Sequence, residues 1–293
     1  MAIRGPDGRV IKERLRSVQV GEDAYFLRPD ALGVADGVGG WASRPGADPA
    51  LFSRLLMHFC AVELSRYDGL TWASVDAVEV MHRAWERCVR ASRREGILGS
   101  STALIGILRG EELRIANMGD CVLMIIRGGE MMFRSTEQQH SFNFPVQLGM
   151  MGDTTDTIKK HPDWDEPRRD AGRWTVRVKA GDIIVVGSDG LMDNLFDEDI
   201  IEEIDASNFS PQMVSEALCS RAKAVSEDSR AISSPFQQRA MEEGLNYVGG
   251  KHDDISVLVC LVGERDGLVF ETEGEQKDEQ QAQEEVKAEK AQR

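Results

Sequence analysis

Apolar residues along this chain keep two different rhythms. Between residues 49 and 96 they recur at helical spacing. Asp48-Pro49 offers an N-cap and first-turn pair for a helix over about 49–67, and Val75, Val78, Trp85 and Val89 mark a second that Gly96 ends. From Ser101 the rhythm shortens to apolar runs at 103–108, 113–117, 121–126 and 131–133, with Arg109-Gly110 and Gly128-Gly129 between them. That spacing predicts an antiparallel meander. Further strands are expected at 174–178, 183–187 and 255–262, and a third long helix after Ser210-Pro211. Strand runs and helix pairs kept apart along the chain predict an α+β class, with helices covering sheet faces.

No repeat at solenoid periods and no Pro- or Ser-rich linker interrupts residues 18–265, so that stretch reads as one domain after an N-terminal extension, 1–17. Beyond Phe270 the chain turns to Glu, Gln, Lys and Ala, a composition that buries too little to offset ordering entropy. The acidic segment 266–293 is therefore expected to be a disordered tail. With 293 residues, 41% of them hydrophobic, the remainder is long enough for a sizeable core. The formal net charge of -15 is opposite to what a phosphate-backbone binder or an anionic membrane surface requires, which sets nucleic acid aside as a partner. No apolar run reaches membrane-spanning length. Five scattered cysteines without a CxxC pair suggest neither a disulfide framework nor a zinc site, and a reducing compartment fits them. The first residues lack the apolar core of a secretory signal, while Asp7 and Glu13 interrupt the basic run expected of a transit peptide.

The chemistry is concentrated where strands end. Apolar runs lead directly into Asp36-Gly37 and Asp189-Gly190. Asp120 follows the run closing at Gly119, Asp193 lies four residues beyond Asp189, Asp253-Asp254 precede a strand, and Asp23 sits in Glu22-Asp23-Ala24. Asp-Gly is also a common turn dipeptide, and the chain has five, so each alone reads as a turn. Together they read differently. Several carboxylates gathered at one sheet end repel unless cations neutralise them, and oxygen donors without His or Cys suit Mg²⁺ or Mn²⁺.

In this order, Gly21 to Ala24, Ala35 to Gly40, Ala116 to Asp120, Gly187 to Leu191 and Asp253 to Val257 resemble the successive motifs of the metal-dependent protein serine/threonine phosphatases of type 2C. Asp36 to Trp41, Glu137 to His140 and Gly249 to Asp254 further resemble the organellar, largely mitochondrial branch. The resemblance implies a four-layer α-β-β-α sandwich, two antiparallel sheets flanked by antiparallel helix pairs. It implies two catalytic Mg²⁺ or Mn²⁺ ions, with Asp36 bridging them, Gly37 offering its carbonyl, Asp23 binding directly or through water, and Asp189 and Asp253 completing the set. Asp36, Asp189 and Asp253 are then the catalytic residues, and Asp120 with Asp189 and Asp193 would hold a third, weaker ion. The implied reaction is hydrolysis of phosphoserine and phosphothreonine on phosphoprotein substrates by a metal-activated water, without a covalent phosphoenzyme. A monomer in the mitochondrion, alternatively the cytoplasm, completes the expectation.

Two family features are missing. Val38 stands where many members carry a His suited to protonating the leaving oxygen, and Val18 where many have a phosphate-binding Arg, with Arg16 the nearest basic residue upstream. His140 and His252 are the polar candidates near motif segments; Trp41 either paves the site or plugs it. Two other readings compete: a catalytically weak phosphatase-like scaffold, and a two-metal hydrolase acting on nucleotides or diesters, although phosphate-cradling Gly-rich loops and His ligands are not evident. A cysteine nucleophile is disfavoured because the cysteines fall inside helical and strand runs.

Overall fold

A computed structural model describes residues 2–4, 10–12, 14–41, 43–67, 71–149, 165–206, 210–230 and 233–263. Residues 1–262 form one compact unit, and 263–293 a second of which only Gly263 is described. The expected tail at 266–293 lies outside the described residues, as do residues 1, 5–9 and 13 of the 1–17 extension.

In chain order the elements are β1 (Ala2–Arg4), β2 (Val10–Lys12), β3 (Val18–Val20), β4 (Asp23–Arg28), β5 (Ala31–Ala35), α1 (Pro49–Leu64), α2 (Ala77–Glu95), β6 (Ser100–Ser101), β7 (Ala103–Arg109), β8 (Glu112–Met118), β9 (Val122–Arg127) and β10 (Glu130–Arg134). Then come β11 (Gln139–Ser141), β12 (Phe144–Pro145), β13 (Leu148–Gly149), α3 (Pro167–Asp170), β14 (Gly172–Arg177), β15 (Ile183–Gly187), α4 (Asp189–Met192), α5 (Asp197–Ala206), α6 (Pro211–Glu227), α7 (Pro235–Glu242) and β16 (Val257–Leu261). Two antiparallel sheets dominate: six strands in the order β14-β8-β7-β5-β4-β3, and four in the order β10-β9-β15-β16.

Alternation along the strands explains why they stack. On β5, Leu32 and Val34 face one way and Ala31 and Ala35 the other; on β7, Leu104 opposes Ala103, Ile105 and Ile107. The first set meets Leu123, Ile125, Ile184 and Val186 of the smaller sheet, forming a core between sheets. The second set packs under α1 and α2. Outward from the smaller sheet, Val122, Met124, Ile126 and Val185 bury against α4, α5 and α6 through Leu191, Ile200, Val214 and Leu218. Strands buried on both faces need continuous apolar runs, which is why 121–126 and 183–187 show no polar break. The result is four layers, α-β-β-α.

The sequence pattern misplaces one connection. Its single meander is divided between sheets: β7 and β8 belong to the larger, β9 and β10 to the smaller. The change of layer comes at Gly119, whose φ of +107° and whose Cβ position, only 2.6 Å from Thr102 Cγ2, admit no side chain. Helix boundaries follow the caps. The Asp48 carboxylate accepts from Leu51 N–H (2.8 Å) and the Asp76 carboxylate from Glu79 N–H (2.9 Å), so α2 starts after Val75 rather than including it. No helix among the described residues is long and apolar enough to cross a membrane.

Candidate metal centre

Both sheets and the helical segment after β15 deliver carboxylates to one place. Asp23 opens β4 and is 1% exposed; its Oδ2 has no hydrogen-bond partner. Asp36 leaves β5 held by its backbone: its N–H donates to Thr102 Oγ1 (2.9 Å), and its carbonyl accepts from Ser101 Oγ (2.8 Å) and Thr102 N–H (2.9 Å). Gly37 N–H donates to the Glu22 carbonyl at 3.1 Å, which ties the Asp36 turn to the Asp23 turn. Glu22 N–H in turn donates to Asp254 Oδ2 (2.7 Å). Asp120 follows Gly119, Asp189 begins α4 and Asp193 caps its end. Gly190 lets α4 start against the chain entering β16, since a Cβ there would lie 1.9 Å from the Asp254 carbonyl oxygen.

Electrostatics show how closely these groups gather. Burial, then the charges of Asp189, Asp23 and Asp253, raise Asp36 well above the ordinary carboxylate range. Asp23 is raised in the same way by burial and by Asp189 and Asp254, against a pull from the Ser188 and Ser256 hydroxyls. Burial and Asp189 push both Asp120 and Asp193 up to about 7. Asp253 is raised too, by burial and then Asp189.

One residue absent from the sequence reading sits at the hub. Lys251 Nζ contacts Asp189 Oδ2 at 2.5 Å, Asp193 Oδ2 at 2.7 Å and Asp253 Oδ2 at 3.1 Å. Burial alone would lower the Lys251 pKa, but the three carboxylates outweigh it and hold the ammonium charged. Asn194 fixes its backbone, donating to the Lys251 carbonyl and accepting from its N–H, both at 2.9 Å. Arg239 bonds the other oxygen of Asp193 and reaches Glu137 Oε2 at 3.1 Å. Gln139 donates to Asp120 Oδ2 at 3.0 Å. The Glu137-Gln138-Gln139 segment thus supports the cluster from outside. A Lys two residues before Asp253 is the signal that could have been read.

Among the described residues, no three carboxylate, His or Cys side chains are drawn together as closely as an ion would draw them. Yet Asp23 Oδ2, Asp120 Oδ1 and Asp189 Oδ1 are buried without hydrogen-bond partners, which is costly unless a cation or a proton meets them. Oxygen-only donors with unsatisfied charge fit Mg²⁺ or Mn²⁺.

Other candidates fall away from the cluster. His140 pairs with Asp165 (2.8 Å) at the surface and His252 is exposed. Trp41 is buried and its Nε1–H donates to Ser100 Oγ (2.6 Å). Arg16 is engaged by its backbone with His58 (3.0 Å) and by its guanidinium with Ser65 (2.5 Å), at the end of α1 remote from Ser53, which meets Glu22. All five thiols are raised by burial, leaving no thiolate nucleophile.

No family model matches the chain. The human protein phosphatase PTC7 homolog is 37% identical over 256 residues, spanning 83% of this chain and 80% of the relative. The probable protein phosphatase 2C 55 of Arabidopsis thaliana is 36% identical over 249 residues, and there the chain spans 48% of the relative's length. Among solved structures, the photosystem II phosphatase PBCP superposes with a TM-score of 0.69 at 33% identity, over 83% of this chain and 92% of that one. The catalytic domain of the serine/threonine protein phosphatase PstP, solved with two manganese ions, shares the fold at 18% identity and a TM-score of 0.52 over 85% of this chain and 96% of that one.

Proposed function

The chain belongs to the protein phosphatase 2C family of metal-dependent serine/threonine phosphatases, and from that premise we propose that it dephosphorylates phosphoserine and phosphothreonine on proteins through the Asp23, Asp36, Gly37, Asp189 and Asp253 cluster. The observation that carries the reading is the set of buried carboxylate oxygens left without partners where the two sheets end. Two divalent cations bound there would supply Lewis acidity, lower the pKa of an attacking water and neutralise the phosphoryl oxygens. The manganese pair in PstP supports that number and that metal.

The chain's own residues do the rest. Asp36 is anchored by three backbone hydrogen bonds, to Thr102 and Ser101, so its carboxylate is held rather than swung into place. Asp189 and Asp253 bring charge from the second sheet. Burial and like charge raise the pKa values of Asp23, Asp36 and Asp253, so their protons compete with cations and loading strengthens with pH. Val38 carries no proton for the leaving seryl or threonyl oxygen, which falls to another group or to solvent. The segments resembling the organellar branch support a mitochondrial compartment, which fractionation of cells expressing the full chain tests.

A phosphothreonine peptide assay in Mn²⁺ tests the function, together with Asp36→Asn. Turnover should vanish in excess EDTA, and calorimetry should show weakened Mn²⁺ binding in the variant. Full turnover in EDTA, or unchanged Mn²⁺ affinity in Asp36→Asn, would overturn the assignment; a folded, Mn²⁺-loaded wild type without turnover would favour the scaffold reading instead.

A further inference from the structure

We propose that Lys251, backed by Arg239, is a built-in replacement for a third divalent ion, so that this chain binds two metal ions and not three. The inference rests on the two-metal reading above and concerns the space between Asp189 and Asp193. Lys251 Nζ donates to Asp189 at 2.5 Å and Asp193 at 2.7 Å and forms an ion pair with Asp253 at 3.1 Å. Asp193 has both oxygens taken, Oδ2 by Lys251 and Oδ1 by Arg239. It therefore has no lone oxygen facing inward, in contrast to Asp23, Asp120 and Asp189, each of which keeps one unpartnered.

The placement is built, not incidental. Asn194 grips the Lys251 backbone on both its N–H and its carbonyl, and donates a further bond to the Gly190 carbonyl (2.8 Å), locking Lys251 to the same short helix that carries Asp189 and Asp193. The Lys251 ammonium also lies over the Phe236 ring, 5.3 Å from its centroid. Glu137, which Arg239 also meets, has Arg134 as a second partner at 2.8 Å.

The carboxylates Asp23, Asp36, Asp120, Asp189, Asp193 and Asp253 carry six negative charges, which two divalent ions and the two fixed cations cancel. A third divalent ion between Asp189 and Asp193 would have to displace the Lys251 ammonium that already bridges them. A tethered ammonium also differs from a weak ion in use: it is present at any metal concentration, so its contribution does not titrate with free Mg²⁺ or Mn²⁺.

Counting ions tests this without recourse to turnover. Full-length protein is equilibrated against Mn²⁺ up to the millimolar range and bound metal is measured by elemental analysis. Wild type should saturate at two ions per chain, and Lys251→Gln should take up one more. Adding Asp193→Asn to that variant should return the count to two. Three ions on wild type, or two on a Lys251→Gln protein whose circular dichroism shows it folded, would overturn the proposal. Should Lys251→Gln fail to fold, anomalous scattering from Mn²⁺-soaked wild-type crystals decides. No peak between Asp189 and Asp193, with two peaks elsewhere, supports it, and a peak at that position overturns it. A wild type that binds no ion at all refutes the two-metal reading beneath it, an outcome distinct from a count of three.

Discussion

Asp120→Asn isolates the electrostatic strain of the metal-free centre. The Asp120 carboxylate is 3% exposed, receives one hydrogen bond from Gln139 at 3.0 Å, and has a second oxygen with none. Burial and Asp189 push it from 3.8 up to about 7. For an acid raised in the folded state, the sign is fixed: its contribution to stability is fully present below about pH 4, where both states are protonated, and is lost as pH rises through 7. A displacement of that size corresponds to roughly 4 kcal/mol for an isolated group, of which neighbours that protonate in its stead return part, leaving about 2 kcal/mol. The asparagine amide keeps an oxygen for Gln139 and removes the charge. In EDTA at pH 8 the variant should therefore melt above wild type, by about 4–8 °C for a domain of this size. The gain should shrink at pH 5, and saturating Mn²⁺ should shrink it too, because cations compensate the wild-type charge. Scanning calorimetry or dye-based melting at the two pH values provides the readout. A variant that melts below wild type in EDTA by the same margin at both would mean that the carboxylate is a net stabiliser and that the strain argument is wrong.

Two further expectations concern the frame around the centre. Gly190→Ala puts a Cβ 1.9 Å from the Asp254 carbonyl oxygen, a backbone atom that cannot rotate away, so urea unfolding should show a loss of about 3 kcal/mol or more; wild-type stability in that variant would contradict the packing described. Asp182, held by Arg127 (2.6 and 2.8 Å) and by Lys179 N–H (2.9 Å), has its pKa lowered chiefly by the Arg127 bonds. A depressed acid stabilises above its unfolded pKa and loses that contribution as pH falls, so Asp182→Asn should lower the melting temperature at pH 7, with the gap closing below pH 4. A gap that is constant with pH would assign the loss to packing alone.

Much of the architecture was legible because it follows from local rules. Asp48-Pro49 and Gly96 bracket helices for reasons contained within a few residues, and the uninterrupted apolar runs at 121–126 and 183–187 announce strands covered on both faces. The aspartates after Ala35 and Ser188 stood out because strands delivered them. Where one sheet gives way to the other was hidden. Gly119 looks like any turn glycine until Thr102 and the Val146 carbonyl are placed against it. Lys251 and Arg239 were hidden for a related cause: their partners at 189 and 193 lie 62 and 46 residues distant, beyond anything periodicity encodes. Arg16 shows the converse, a basic residue near a motif in sequence that the fold assigns to the far end of a helix.

The hydrogen bond from Glu22 to Asp254 spans 232 residues, and it is the bond that fastens the turn bearing Asp23 to the segment bearing Asp253. Such a contact has no local precursor. Its loop-closure entropy must be met before it yields anything, a cost that grows with the separation of its partners. During synthesis, which proceeds from the N-terminus, the nascent chain can pair β4 with β5 and β7 with β8 while the centre still lacks a wall. Until residue 254 has cleared the ribosome the full set of carboxylates does not exist in one place, so a nascent chain short of that point has no complete metal centre.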